Sequence, residues 1–235
     1  MSVERNLLIS VLKLTRKSPA LIEDVKKQAH LPLDVCWDLL HKMQKERLVY
    51  LHNDTIEVEN ISRLTIAIKA INLGADIQNV SDLLRWQEFE EITAMALKSN
   101  GYVVHKNVRF THEGRKWEID VIGCKKPLIV CIDCKRWQHG IAISALKRIV
   151  ESQIERTNAL TDFLPNLKVN LECTQWAKAK FVPAVLSLFQ CAYKYVYEVP
   201  VVPVLQMQEF IHQLPANINE VKFFAKSFEK LNDNF

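Results

Sequence analysis

The sequence predicts an α/β protein: a mixed central sheet flanked by helices, preceded by a small helical domain that ends in a hairpin. Three observations predict it. Residues 128–135, Leu-Ile-Val-Cys-Ile-Asp-Cys-Lys, form a short apolar run entered from a Lys-Lys-Pro turn, which reads as a buried strand. Residues 115–123 read as a second strand, and the connection to the first is so short that the two form an antiparallel hairpin. Apolar residues at helical spacing over 81–100 and 144–164 bracket that hairpin and supply the flanking helices.

The elements follow in order. Residues 3–14 are an amphipathic helix, 20–29 a second, and Pro32 opens a third that runs to about residue 46. Residues 48–52 and 55–58 are strands joined at Asn53-Asp54. A connecting helix covers 62–73, and residues 74–80 are the junction, so the domains are expected at 1–75 and 76–235. The helix over 81–100 has Ser81 as N-cap and Gly101 just past its end. Trp86, Phe89, Thr93, Ala96 and Leu97 mark its inner face, and Glu90 lies within that stripe, with Glu88 and Glu91 nearer solvent. Further strands are expected at 180–189 and 199–205, and a last helix from 208.

Three acids and a lysine interrupt otherwise apolar surfaces. Strand side chains alternate with period two, so Ile129, Cys131, Asp133 and Lys135 share one face. Charges at the end of a core strand are costly unless they pair or bind something. The hairpin brings Asp120 beside Asp133, where two carboxylates repel unless a cation intervenes. Oxygen donors of this kind suit Mg²⁺ or Mn²⁺.

Glu90 on a helix, Asp120 on one strand and Asp133-Cys134-Lys135 on the next resemble the PD-(D/E)xK nuclease superfamily, closest to Mrr-type restriction endonucleases and archaeal Holliday junction resolvases. The resemblance covers about residues 81–212 and includes Phe89-Glu90, Leu97 and Gly101-Tyr102-Val103-Val104. It departs where Trp86-Gln87-Glu88 replaces a usual glycine and where Glu-Ile-Asp stands for Gly-Ile-Asp. It implies a restriction-endonuclease-like core and hydrolysis of DNA phosphodiesters, with Asp120, Asp133 and Glu90 as ligands of Mg²⁺, or of Mn²⁺ in its place. It also implies that Lys135 stabilises charge or orients water, and that Gln153 is a polar site residue. An inactive DNA-binding scaffold and an RNA nuclease are the alternatives, and a homodimer is compatible. The three N-terminal helices and hairpin resemble a winged helix, whose third helix here offers Lys42, Lys45 and Arg47 to DNA.

Charge distribution agrees with a polyanionic substrate. The net charge is +4, and residues 81–150 alone carry 12 Lys and Arg against 8 Asp and Glu. Lys125, Lys126, Arg136, His139, Lys147 and Arg148 are the expected phosphate contacts. No apolar run has the length of a membrane span and no signal stretch follows Met1, so a cytoplasmic protein is expected, on the nucleoid when bound to DNA. Cys131 and Cys134 are three apart in a strand and face opposite sides, so they read as packing residues rather than as a zinc or redox pair.

Overall fold

The computed structural model describes residues 3–76, 79–80, 82–135, 141–164, 171–187 and 191–228. By contacts the chain forms two compact units, residues 1–92 and 93–235.

The first unit contains α1 (Val3–Leu14), β1 (Ala20–Leu21), α2 (Ile22–Ala29), α3 (Leu33–Lys45), β2 (Tyr50–His52), β3 (Thr55–Glu57) and α4 (Asn60–Asn72). Its helices bury one apolar stripe each: Leu7, Leu8, Val11 and Leu12 of α1, Val25 of α2, Leu40 and Met43 of α3, and Leu64, Ile66 and Ala67 of α4. The second helix starts two residues later than its spacing predicts. Ala20 and Leu21 instead pair with Ile56 and Thr55, completing a three-stranded sheet of order β1-β3-β2. Only the folded hairpin offers those backbone partners, so no local pattern announces β1.

Arg63 of α4 is fully buried, which is unusual for an arginine. Its guanidinium donates to Glu88 Oε1 at 2.6 Å, Thr15 Oγ1 at 2.8 Å, Leu12 O at 2.9 Å and Leu83 O at 2.8 Å. Glu88, expected near solvent, is 1 % exposed. The pairing with Arg63 makes that burial tolerable, because an unpaired buried charge would cost several kcal/mol.

α5 (Trp86–Ser99) begins later than the sequence implies. Glu88 Oε2 accepts the Arg85 N–H at 2.8 Å, a reach-back that satisfies a donor at the helix start. The expected cap, Ser81, lies outside the described residues. At the other end Gly101 adopts φ +77°, a left-handed conformation glycine takes without strain.

The second unit is built on a mixed sheet of seven strands among the described residues. They are β4 (Val103–His112), β5 (Arg115–Lys125), β6 (Leu128–Lys135), β7 (Lys178–Ser187), β8 (Tyr195–Val196), β9 (Val199–Pro203) and β10 (Phe224–Ser227). The order is β4-β5-β6-β7-β9-β8, with β10 on the first half of β7 and β9 on its last residues. β4, β5 and β6 run antiparallel as a meander, whereas β6-β7 and β7-β9 are parallel. The crossover from β6 to β7 carries α6 (Ile143–Phe163), as parallel neighbours require. α7 (Met207–Gln213) follows β9.

One core joins Ile122, Cys124, Ile129, Cys131 and Phe181 of the sheet to Leu160 and Leu164 at the end of α6. Ile119 belongs to the same cluster, although strict alternation from Ile122 would turn it away. Asn107, at φ 53°, sits between the register pairs Lys106↔Val121 and Val108↔Ile119. A left-handed residue there breaks the regular pleat opposite Asp120. On β5, a Cβ added to Gly123 would lie 2.7 Å from Leu97 Cδ2, so the bare backbone lets α5 approach the strand closely. No helix among the described residues is long and apolar enough to cross a membrane.

Candidate active site

The β5–β6 register pairs Val121 with Ile132. Asp120 and Asp133 follow directly on this last pair of the ladder, and their carboxylates interact electrostatically. Asp133 is 2 % exposed at the end of an otherwise apolar strand. Asp120 Oδ2 accepts the Cys134 N–H at 2.8 Å, so backbone and carboxylate lock the two strands here. Burial raises the Asp120 carboxyl from 3.8 to about 6. The Cys134 N–H opposes that rise, the neighbouring Asp133 charge adds to it, and Lys135 and Arg156 work against it.

Asp133 is compensated twice. Lys135 Nζ lies 2.9 Å from it, and Arg156 of α6 donates a short hydrogen bond to Oδ1. No sequence motif announces Arg156. Its one signal is spacing: it falls three residues after Gln153 on the same helix, hence one turn along the same face.

Gln153 is fully buried and engaged at both ends of its amide. Its Nε2 donates to Cys131 O at 2.7 Å, and its Oε1 accepts from Arg156 at 3.0 Å. It therefore pins α6 to β6 and aims the guanidinium at Asp133. That is a positioning task.

Glu90 is 8 % exposed on α5, one turn before Thr93 and two before Leu97. Those two later residues face the sheet: Thr93 Oγ1 is 3.7 Å from Cys134 Sγ, and Leu97 meets Gly123. Glu90 itself falls in the first compact unit, and its place beside these acids is part of the proposed function. Cys131 packs into the core beneath α6 while Cys134 touches Thr93, so the two thiols point to opposite faces.

The basic residues divide into groups. Lys147 and Arg148 are exposed on the opening turns of α6, and Lys147 Nζ stands 5.8 Å over the Tyr197 ring. Lys125 and Lys126 sit at the hairpin turn, five and six residues beyond Asp120, so about 16 Å or more of strand separates them from the acids. Lys125 Nζ donates to Asn100 O at 2.8 Å. Arg136 and His139 lie outside the described residues. In the first unit Lys42, Lys45 and Arg47 are exposed at the end of α3, with Lys42 Nζ 3.0 Å from Glu4.

The donor set fits a hard divalent cation. Asp120 and Asp133 offer carboxylate oxygens at one strand end, and burial, which lifts Asp120 to about 6, disfavours the ionised carboxylate that a bound cation would favour.

Residues 81–189 match the Mrr_cat restriction endonuclease family model. The match is consistent with a restriction-endonuclease-like domain of the PD-(D/E)xK superfamily in this part of the chain. None of the curated proteins matches the chain. Among solved structures, that of protein VC1899 from Vibrio cholerae shares 13% identity at a TM-score of 0.40, over 92% of this chain and 50% of that one. The protein of unknown function AF1548 shares 14% identity at a TM-score of 0.28, over 42% of this chain and 46% of that one. The alignments thus take in about half the length of each of these two proteins.

Proposed function

Starting from the restriction-endonuclease-like domain at residues 81–189, we propose that the chain is a Mg²⁺-dependent deoxyribonuclease, with Mn²⁺ able to substitute. The observation that supports this most is the juxtaposition of Asp120, Asp133 and Lys135 at one end of the β5–β6 hairpin. Asp120 and Asp133 would hold the cation, with Glu90 as third acid. The metal's contribution is to polarise a phosphoryl oxygen and lower the pKa of a bound water. Lys135 would give its charge to the scissile phosphate as negative charge develops there. Gln153 and Arg156 would hold Asp133 in place. Lys147 and Arg148, on the same helix, are the nearest described candidates for neighbouring phosphates, and Arg136 and His139 follow Lys135 directly in sequence.

The order helix, strand, helix, helix, hairpin supports a winged-helix reading of residues 1–75, with the nuclease domain from 76 onward. Lys42, Lys45 and Arg47 would then give a tethered second DNA contact, which raises local concentration without altering the chemistry. Such an enzyme would act in the cytoplasm, on the nucleoid.

One observation favours a second reading. Arg156 already neutralises Asp133, and a cation next to a metal ligand opposes metal entry. A DNA-binding scaffold without hydrolysis would keep that pair intact. Incubation of the full chain with plasmid, single strands, flaps and four-way junctions separates the two. Mg²⁺- or Mn²⁺-dependent cleavage abolished by EDTA supports the nuclease. Metal-insensitive binding without cleavage of any substrate supports the scaffold.

A further inference from the structure

A second cluster of metal-binding side chains lies on the same sheet, away from the acids. His105 of β4, Cys124 of β5 and Glu172 of a short 3-10 turn (Glu172–Gln175) each bring one ligand atom within 4.8 Å of the other two. His105 Nε2 lies 2.9 Å from Glu172 Oε2. Cys124 is buried, and His105 and Glu172 are partly exposed, so solvent and ions reach the open side. Cys124 is four residues from Asp120 along β5, about 13 Å of strand. The two places are therefore separate.

The donor chemistry differs as well. Three carboxylates and a lysine suit a hard ion. One thiol, one imidazole and one carboxylate form a softer, borderline set that selects Zn²⁺ over Mg²⁺. Bonds of about 2.0–2.3 Å to tetrahedral zinc put ligand atoms about 3.3–3.8 Å apart. The three atoms here need to close by only about 1 Å, a movement the partly exposed His105 and Glu172 side chains can make by rotation. The ligands come from two adjacent strands and from a segment far along the chain, an arrangement that ties distant pieces together. Two more thiols, Cys131 and Cys173, are buried in the same core cluster as Cys124.

We propose that His105, Cys124 and Glu172 form a structural zinc site, with water in the fourth position, that clips the 172–175 turn to the β4–β5 hairpin. Binding is a simple exchange: zinc takes the thiolate sulfur, an imidazole nitrogen and a carboxylate oxygen, and the Cys124 proton leaves to solvent. No redox change occurs. The Cys131–Cys134 pair plays no part. The proposal is independent of the nuclease reading.

The test uses the full chain, purified under reducing conditions and measured for metal by mass spectrometry. About one zinc per chain is expected, unaffected by excess Mg²⁺. After stripping, added Zn²⁺ at about a hundredfold excess over Kd should raise Tm by about 5–10 °C. Cobalt in its place should give a thiolate charge-transfer band that disappears in Cys124→Ala. Because that substitution alters a buried position, His105→Gln and Glu172→Gln serve as surface variants. Each should fold and bind zinc at least about tenfold more weakly. Asp133→Asn should bind zinc like the parent. Substoichiometric zinc in the parent, equal zinc in all the ligand variants, or zinc lost with Asp133→Asn would each overturn the proposal.

Discussion

Asp120→Asn should make the metal-free protein more stable, even though it removes a proposed catalytic ligand. Asp120 titrates at about 6 in the folded chain, against 3.8 as an ordinary carboxyl. The gap is worth about 3 kcal/mol. A folded-state value that is raised means that the protonated group favours folding. This stabilisation is fully present below about pH 4 and is lost as pH rises through about 6. At pH 8 the ionised Asp120 is a net burden, pressed by burial and by Asp133 and relieved only in part by the Cys134 N–H, Lys135 and Arg156. Asparagine keeps an oxygen for the Cys134 N–H and removes the charge, but its amide needs partners of its own, which returns about 1 kcal/mol or more. The net gain at pH 8 is therefore about 1–2 kcal/mol, or a Tm higher by roughly 2–8 °C. The assay is thermal and urea unfolding of parent and variant in EDTA at pH 4, 6 and 8, then with excess Mg²⁺ at pH 8. The two proteins should agree at pH 4 and diverge above 6, and Mg²⁺ should raise the parent alone. A variant less stable than the parent at pH 8 in EDTA, or a difference that does not change with pH, would mean that the ionised Asp120 does not burden the fold.

Other expectations follow from the same geometry. Glu88→Ala leaves the fully buried Arg63 charge without its carboxylate, so urea unfolding should show a loss of about 3–5 kcal/mol. Gly123→Ala drives a methyl into Leu97 and should cost about 1–3 kcal/mol by the same measurement. If α3 contacts phosphates, replacing Lys42, Lys45 and Arg47 together by Ala should flatten the slope of log K against log salt by about 2.7 on duplex DNA. An unchanged slope would move the first unit's role to protein contacts. Gln153→Ala frees both Arg156 and the Cys131 carbonyl, so cleavage should fall while DNA affinity in EDTA stays level. Affinity that falls in parallel would argue against a positioning role.

Much of the architecture was legible because it is local. The eight-residue run at 128–135 is β6 to the residue, and the short turn before it makes β5 and β6 antiparallel neighbours. What stayed hidden depends on partners distant in sequence. A helical-wheel reading of α5 sends Glu88 outward, and only Arg63 from another helix permits its burial. β1 needs β3, and β10 needs the edge of β7. Arg156 was within reach through its spacing from Gln153, but a lone arginine on a long helix reads as solvated until its carboxylate is found. His105, Cys124 and Glu172 have no shared spacing at all, since two strands and a distant turn bring them together.

If Asp120, Asp133 and Lys135 form a metal-dependent phosphodiesterase site, hydrolysis must need both the cation and these side chains. That requirement is tested most directly by cleavage of plasmid and branched DNA by the full chain, beside Asp133→Asn and Lys135→Ala, with Mg²⁺, Mn²⁺ or EDTA. Cleavage is expected only with metal and only by the parent, with at least a hundredfold loss in either variant and DNA binding retained in both. Full activity in either variant, or cleavage that persists in excess EDTA, would contradict it.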